Sequence, residues 1–65
     1  SHVEDKYIEN TEIFPKLNEN ESVQSFNING NKLYLYVKNK SNNKTSIIIY
    51  NLRNSKKVGS IIIKD

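Results

Sequence analysis

Two lysines and two tyrosines alternate along one short segment of this 65-residue chain. They occupy every second position, in the order Lys32, Tyr34, Tyr36 and Lys38. Side chains at every second position of a β-strand point to the same side, so a strand here would place all four on one face. Tyrosine rings stack on bases and lysines hold phosphates, and this pattern is typical of surfaces that bind single-stranded nucleic acid.

Two other interpretations fit the same four residues. Tyrosine is enriched in protein–protein interfaces, which would make this face a protein contact. Alternatively, the rings sit on a half-exposed sheet face, and the lysines at either end suppress edge-to-edge aggregation. The sequence leaves these three interpretations open, and nucleic-acid binding is the least favoured of them.

Residue types that support catalysis or metal binding are scarce. The chain has no cysteine, and its single histidine lies in a Ser1-His2 dipeptide that is typical of a cleaved purification tag. No nucleophile–base pair can then be assembled. Gly30 and Gly59 are isolated, which excludes a phosphate-binding glycine loop, and no zinc, iron or EF-hand spacing occurs. We therefore predict that the chain is not an enzyme and takes no cofactor or metal.

Charge is divided unevenly along the chain, although the net charge is only +3. Residues 1–22 carry a balance of −4, and residues 23–65 carry a balance of +7. The simpler interpretation is an acidic leader that precedes or lies over a basic β-domain. The alternative is an acidic segment that masks a cationic binding face.

Composition favours strands as the elements that position these residues. The chain holds eleven asparagines and nine isoleucines but no alanine. Asparagine disfavours helix interiors, and isoleucine favours strands. Four strands are predicted, over residues 22–28, 32–38, 45–52 and 58–64.

The dipeptide Asn29-Gly30 is a strong signal for a tight hairpin between the first two strands, because a type I′ turn needs positive φ at both central residues. A two-residue turn at these positions would pair Phe26 with Leu33, and Val23 with Tyr36. One face of the hairpin would then be a core face that holds Phe26, Ile28, Leu33, Leu35 and Val37.

These elements suggest three parts. Residues 1–2 are interpreted as a tag remnant, residues 3–21 as an acidic N-terminal segment with an edge strand and a loop, and residues 22–65 as an antiparallel β-domain. Pro15 disfavours a central strand in the N-terminal segment. The predicted fold class is mainly β: a small antiparallel meander of four strands plus an N-terminal extension, barrel- or sandwich-like.

The region from the hairpin onward resembles one blade of a YVTN-type β-propeller. Such blades place a glycine turn before a Leu-Tyr-Val strand, a second strand that often ends around an aspartate, a polar turn, and a strand that begins Val-Gly. The matching positions are Gly30, Leu33, Tyr34, residues 48–52 with Asn51 at the aspartate position, Val58 and Gly59. The resemblance covers about residues 22–64 and implies a blade-like four-stranded meander.

A propeller buries each blade between its neighbours and needs about four to eight of them. This sequence contains one copy and no internal repeat. The resemblance therefore implies either an excised piece or an oligomerising unit. The other interpretation, which we prefer, is an independent small β-domain that shares the pattern.

The third and fourth predicted strands are apolar on both faces. Ile47 and Ile49 alternate with residues 48, 50 and 52, and Ile62 lies between two further isoleucines. A sheet with one solvated face would alternate with polar residues instead, so both faces need cover. We predict a homodimer through the sheet face or edge, or docking on another domain of a parent chain.

The function predicted from these features is a non-catalytic protein-interaction or structural β-module from a longer or extracytoplasmic protein. The alternative is a small basic nucleic-acid-binding domain that uses the Lys32–Lys38 face. No run of aliphatic residues exceeds three, so we predict no membrane insertion by this segment. The absence of an initiator methionine and three N-x-S/T sequons, at Asn20, Asn39 and Asn43, favour an extracytoplasmic location.

Overall fold

The computed structural model describes residues 11–64 as a single four-stranded antiparallel sheet. The strands lie side by side in chain order, and no helix occurs within the described residues. The predicted mainly β meander, with its hairpins and antiparallel sheet, is confirmed. The strands are β1 (Glu21–Asn29), β2 (Lys32–Asn39), β3 (Thr45–Asn51) and β4 (Lys56–Ile63).

The predicted closure into a barrel or sandwich is not confirmed. β1 pairs with β2, and β4 pairs with β3, so both remain edge strands within residues 11–64. One open sheet buries side chains only where another segment of the protein lies over it. The position of that cover therefore decides which of the apolar residues form the core.

The first hairpin turns one residue later than predicted. Its two central residues are Gly30 and Asn31, and Phe26 pairs with Leu35 rather than with Leu33. Gly30 has a φ of 63°, whereas Asn31 does not adopt a positive φ, which is the pattern of a type II′ turn and not of type I′. The pairing moves by two positions, so the side chains of residues 25–28 and of β2 stay on their predicted faces.

A β-bulge in each edge strand changes which residues share a face. In β1 the pairing shifts between Val23 and Ser25, so Val23 lies opposite Val37 and not opposite Tyr36 as predicted. In β4 the shift places Lys57 opposite Tyr50. A bulge adds one residue to one strand only, and the alternation of faces is therefore inverted beyond it.

Asparagine side chains build the remaining turns. Asn39 Oδ1 accepts hydrogen bonds from the backbone N–H of Ser41 at 2.9 Å and of residue 42 at 3.3 Å. In the last turn, Asn51 Oδ1 accepts from the Arg53 N–H at 2.8 Å and Asn54 Oδ1 from the Lys56 N–H at 3.0 Å. These side chains imitate a backbone turn, which explains why an asparagine-rich chain folds into a meander with short connections.

The buried core is small and lies over β2 and β3. Val37 is its most deeply buried member, with 1% of its surface exposed. Phe26 and Ile28, predicted for the same core, share its face but are 64% and 55% exposed. That part of the prediction is wrong, because the cover does not extend to β1. The buried residues are Leu33, Leu35, Val37, Tyr50 and Leu52.

The cover is supplied by residues 11–18, here called the covering segment. Its residues alternate between half-buried and exposed, as expected for a chain that lies along a sheet. Ile13 and Leu17 pack against the core together with Ile48, and Phe14 points outward. The covering segment forms no strand; residues 3–10 of the predicted N-terminal segment, the Ser1-His2 dipeptide and residue 65 lie outside the described residues.

Candidate functional site

The two faces of the sheet differ in whether another segment lies over them. The covered face contains the core residues of β2 and β3 and lies beneath Ile13 and Leu17. On the opposite side, the strands place aromatic and aliphatic side chains over which no part of residues 11–64 packs. This surface, here called the open face, consists of Tyr34, Tyr36, Ile47, Ile49, Ile61 and Ile63.

Cross-strand pairing sets the geometry of the open face. Tyr36 lies opposite Ile47, and Ile47 lies opposite Ile61, which gives one continuous apolar row across three strands. Directly opposed residues in antiparallel strands have Cβ atoms about 4.5–5.5 Å apart, so these side chains are in contact range. In the next row, Tyr34 lies opposite Ile49, and Ile49 lies opposite Gly59. A Cβ atom added to Gly59 would meet no heavy atom within 4 Å. The open face therefore has a shallow notch at Gly59.

Lysines lie at both ends of the open face. At one end, Lys38 pairs with Thr45. At the opposite end, Lys32 pairs with Asn51, and Asn51 pairs in turn with Lys56. No carboxylate lies anywhere in residues 22–64. The described carboxylates belong to residues 12, 19 and 21, in the covering segment, the following turn and the first position of β1. The open face is therefore an apolar centre between two cationic ends.

The structure brings together all four residues that the sequence analysis singled out. Lys32, Tyr34, Tyr36 and Lys38 alternate along β2 with the buried residues 33, 35 and 37, and all four are half-buried. The sequence alone does not place the isoleucines of β3 and β4 on the same face as the tyrosines. That assignment depends on the register across the 40–44 loop and across the β3–β4 turn, for which the sequence contains no tight-turn signal.

The outer edge of β4 is the second notable surface. Its last four residues, 60–63, carry no charge and contain three consecutive isoleucines, of which Ile62 is 62% exposed. Natural edge strands are usually protected by lysines, prolines or bulges. In β4 the two lysines and the bulge at Val58 protect only the first half of the strand. Residues 60–63 are therefore a flat and unprotected edge, here called the β4 edge.

The part of the chain that the structure describes contains no cluster of three or more His, Cys, Asp or Glu side chains that could hold a metal ion. One shallow depression, near the covering segment, is lined by Phe14, Lys16, Ile48, Tyr50 and Lys57. Residues 11–64 also contain no helix with the length and apolarity needed to cross a membrane.

No family model, no curated protein and no solved structure matches this chain. The resemblance of residues 22–64 to a YVTN-type propeller blade therefore stays a prediction from the sequence. The candidate sites are the two surfaces that the sheet leaves uncovered within residues 11–64, namely the open face and the β4 edge.

Proposed function

We propose that this chain is a non-catalytic protein-interaction module and that it associates with a second copy of itself. One observation supports the proposal most strongly. The covering segment lies on one face only, and the apolar residues of the open face and the β4 edge have no cover within residues 11–64.

The apolar character of the open face and the β4 edge favours association. Soluble monomers rarely expose a contiguous apolar patch larger than a few hundred Å2, and larger patches mark interaction sites. Each Å2 of apolar surface removed from water contributes about 25 cal/mol. A second copy carries the same apolar groups, and a twofold axis pairs like surface with like surface and closes the assembly.

The first prediction is a concentration-dependent dimer. Static light scattering across a hundredfold range of protein concentration should show the apparent mass rise from that of one chain to that of two. The transition follows mass action, since the interface contributes only when two chains meet. A single-chain mass at every concentration would contradict self-association and would leave another domain of a parent chain as the partner.

A second candidate function, nucleic-acid binding, is supported by the alternation of lysines and tyrosines on a face without carboxylates. Single strands bind such faces through stacking, worth about 1–3 kcal/mol per base, and through phosphate contacts. The log of the affinity for a single strand falls with log salt by about 0.7 per phosphate contacted.

The second prediction separates this candidate from the first. If nucleic acid is the partner, a labelled single strand should bind more weakly at the higher of two salt concentrations, and Tyr34→Ala and Tyr36→Ala should each reduce binding. Phe26→Ala is the matched control, because Phe26 is an exposed aromatic residue on the opposite side of the sheet. Binding that is absent, or that the control weakens equally, would reject this candidate.

A further inference from the structure

We propose that two copies join along the β4 edge, as antiparallel strands that extend the four-stranded sheet to eight. This inference rests on the proposed self-association and specifies its geometry. An unpaired edge strand presents a row of free backbone N–H and C=O groups, and pairing with a second chain satisfies them. The apolar side chains on either side of the strand are buried in the same step.

The other edge of the sheet is less suited to pairing. Each edge strand has one bulge, at Gln24 in β1 and at Val58 in β4, and each bulge leaves a regular stretch of similar length, so the two edges differ mainly in composition. Serine, glutamine and asparagine occupy five of the nine positions of β1, and Glu21 begins it. In β4, residues 61–63 are three consecutive isoleucines, and within residues 11–64 they pair with β3 on one side only.

Charge argues against the alternative in which two open faces stack on each other. Lys32, Lys38 and Lys56 lie at the ends of the open face, and residues 22–64 contain no carboxylate to pair with them. Stacking would bring the lysines of both copies into one interface, where partial removal of water strengthens their repulsion. Pairing at the β4 edge leaves these lysines exposed to solvent.

A symmetric register brings the isoleucines of the β4 edge into contact and keeps the lysines of the two copies apart. It places Ile62 opposite Ile62 of the second copy and Ile61 opposite Ile63 of the second copy. Because opposed residues share a side, the open faces of the two copies then form one continuous surface. At about 3.4 Å per ladder position, with Lys57 four positions from Ile62 because of the bulge at Val58, the two Lys57 side chains are about 27 Å apart and the two Lys64 side chains about 14 Å apart along the strands. Both separations exceed the Debye length of about 10 Å at 0.1 M salt, which screens the repulsion.

The third prediction uses the two edge strands as matched sites. Ile62→Lys places two lysines opposite each other at the twofold axis and should weaken dimerisation by about tenfold or more. Ile28→Lys is the control, since Ile28 is similarly exposed, lies on the same side of the sheet and belongs to β1. It should leave the dimer unchanged. Both residues are exposed, so both variants should keep the circular-dichroism spectrum of the wild-type chain.

A single-cysteine variant tests the register directly, because the chain contains no cysteine. Directly opposed Cβ atoms in an antiparallel pair approach to about 4.5–5.5 Å, close to the separation that a disulfide requires. Ile62→Cys should form a disulfide-linked dimer under mild oxidation, and Ile28→Cys should form no disulfide-linked dimer on the same timescale. Equal rates of cross-linking would overturn the register.

The outcomes distinguish this inference from the proposal on which it rests. If the wild-type chain dimerises, Ile62→Lys has no effect and Tyr36→Lys abolishes the dimer, the edge pairing is wrong and the open face is the interface. If the wild-type chain stays monomeric across the whole concentration range, self-association itself is wrong. If only Ile62→Lys disrupts the dimer, both are supported.

Discussion

Truncation of Leu35 to alanine is expected to leave about half or more of the molecules unfolded at room temperature. Leu35 belongs to a core that has five buried residues within residues 11–64. Leucine-to-alanine changes in cores cost about 2–5 kcal/mol, and single cores of domains this small rarely supply more than about 3–5 kcal/mol. The free energy of unfolding should therefore fall close to zero. Urea unfolding, followed by circular dichroism, measures it.

Phe26→Ala is the matched control, because Phe26 is the cross-strand partner of Leu35 on β1. The control deletes a larger side chain, but that side chain is mostly exposed, and we expect a loss below about 1 kcal/mol. The difference in unfolding free energy between the two variants measures the effect of burial beneath the covering segment, separately from the effect of strand pairing. A loss in Phe26→Ala as large as that in Leu35→Ala would show that the core extends to β1.

That contrast also shows where sequence-based prediction reaches its limit. The alternation along β2 predicts that Leu35 and Val37 share a face, because the period of two is a local property of the strand. The predicted pairing of β1 with β2 places Phe26 on this face too, and the structure confirms that placement. The exposure of Phe26 was not predictable, because the covering segment packs against residues of β2, of β3 and of the turn after β3. Burial depends on this non-local contact, which periodicity does not contain.

The bulges and the first turn are local features that the sequence indicated only in part. Asn29-Gly30 predicts a hairpin correctly, yet two turn types compete for the same dipeptide, and the one that forms places glycine at the first central position. The bulge next to Val23 has no glycine or proline signal, and it becomes visible only when the partner strand fixes the register. The bulge at Val58 adjoins Gly59, and a glycine inside a strand often marks a bulge.

The candidate site was predicted to the same extent. The alternation of Lys32, Tyr34, Tyr36 and Lys38 is a property of one strand, and the structure places all four on one face. Their apolar neighbours Ile47 and Ile61 come from strands reached through two loops. Of the six residues of the open face, the sequence alone therefore indicated only the two tyrosines as members of this site.

The second large expected effect is a loss of stability when the covering segment is truncated. Ile13→Ala combined with Leu17→Ala should lower the free energy of unfolding by about 2–4 kcal/mol, because both side chains pack against the core and no other described segment replaces them. Phe14→Ala is the matched control, since Phe14 is an exposed apolar residue in the same segment. It should change the free energy of unfolding by less than about 1 kcal/mol.

These measurements require a protein concentration well below the dimer transition, because self-association stabilises the folded chain by mass action. The double variant should also bind the dye ANS more strongly than the wild type, as loss of the cover exposes Leu33, Leu35 and Tyr50. A sheet with two uncovered apolar faces has no single way to close, so the double variant should form assemblies larger than a dimer as its concentration rises. Unchanged stability and an unchanged dimer would show that residues 11–18 do not act as the second layer.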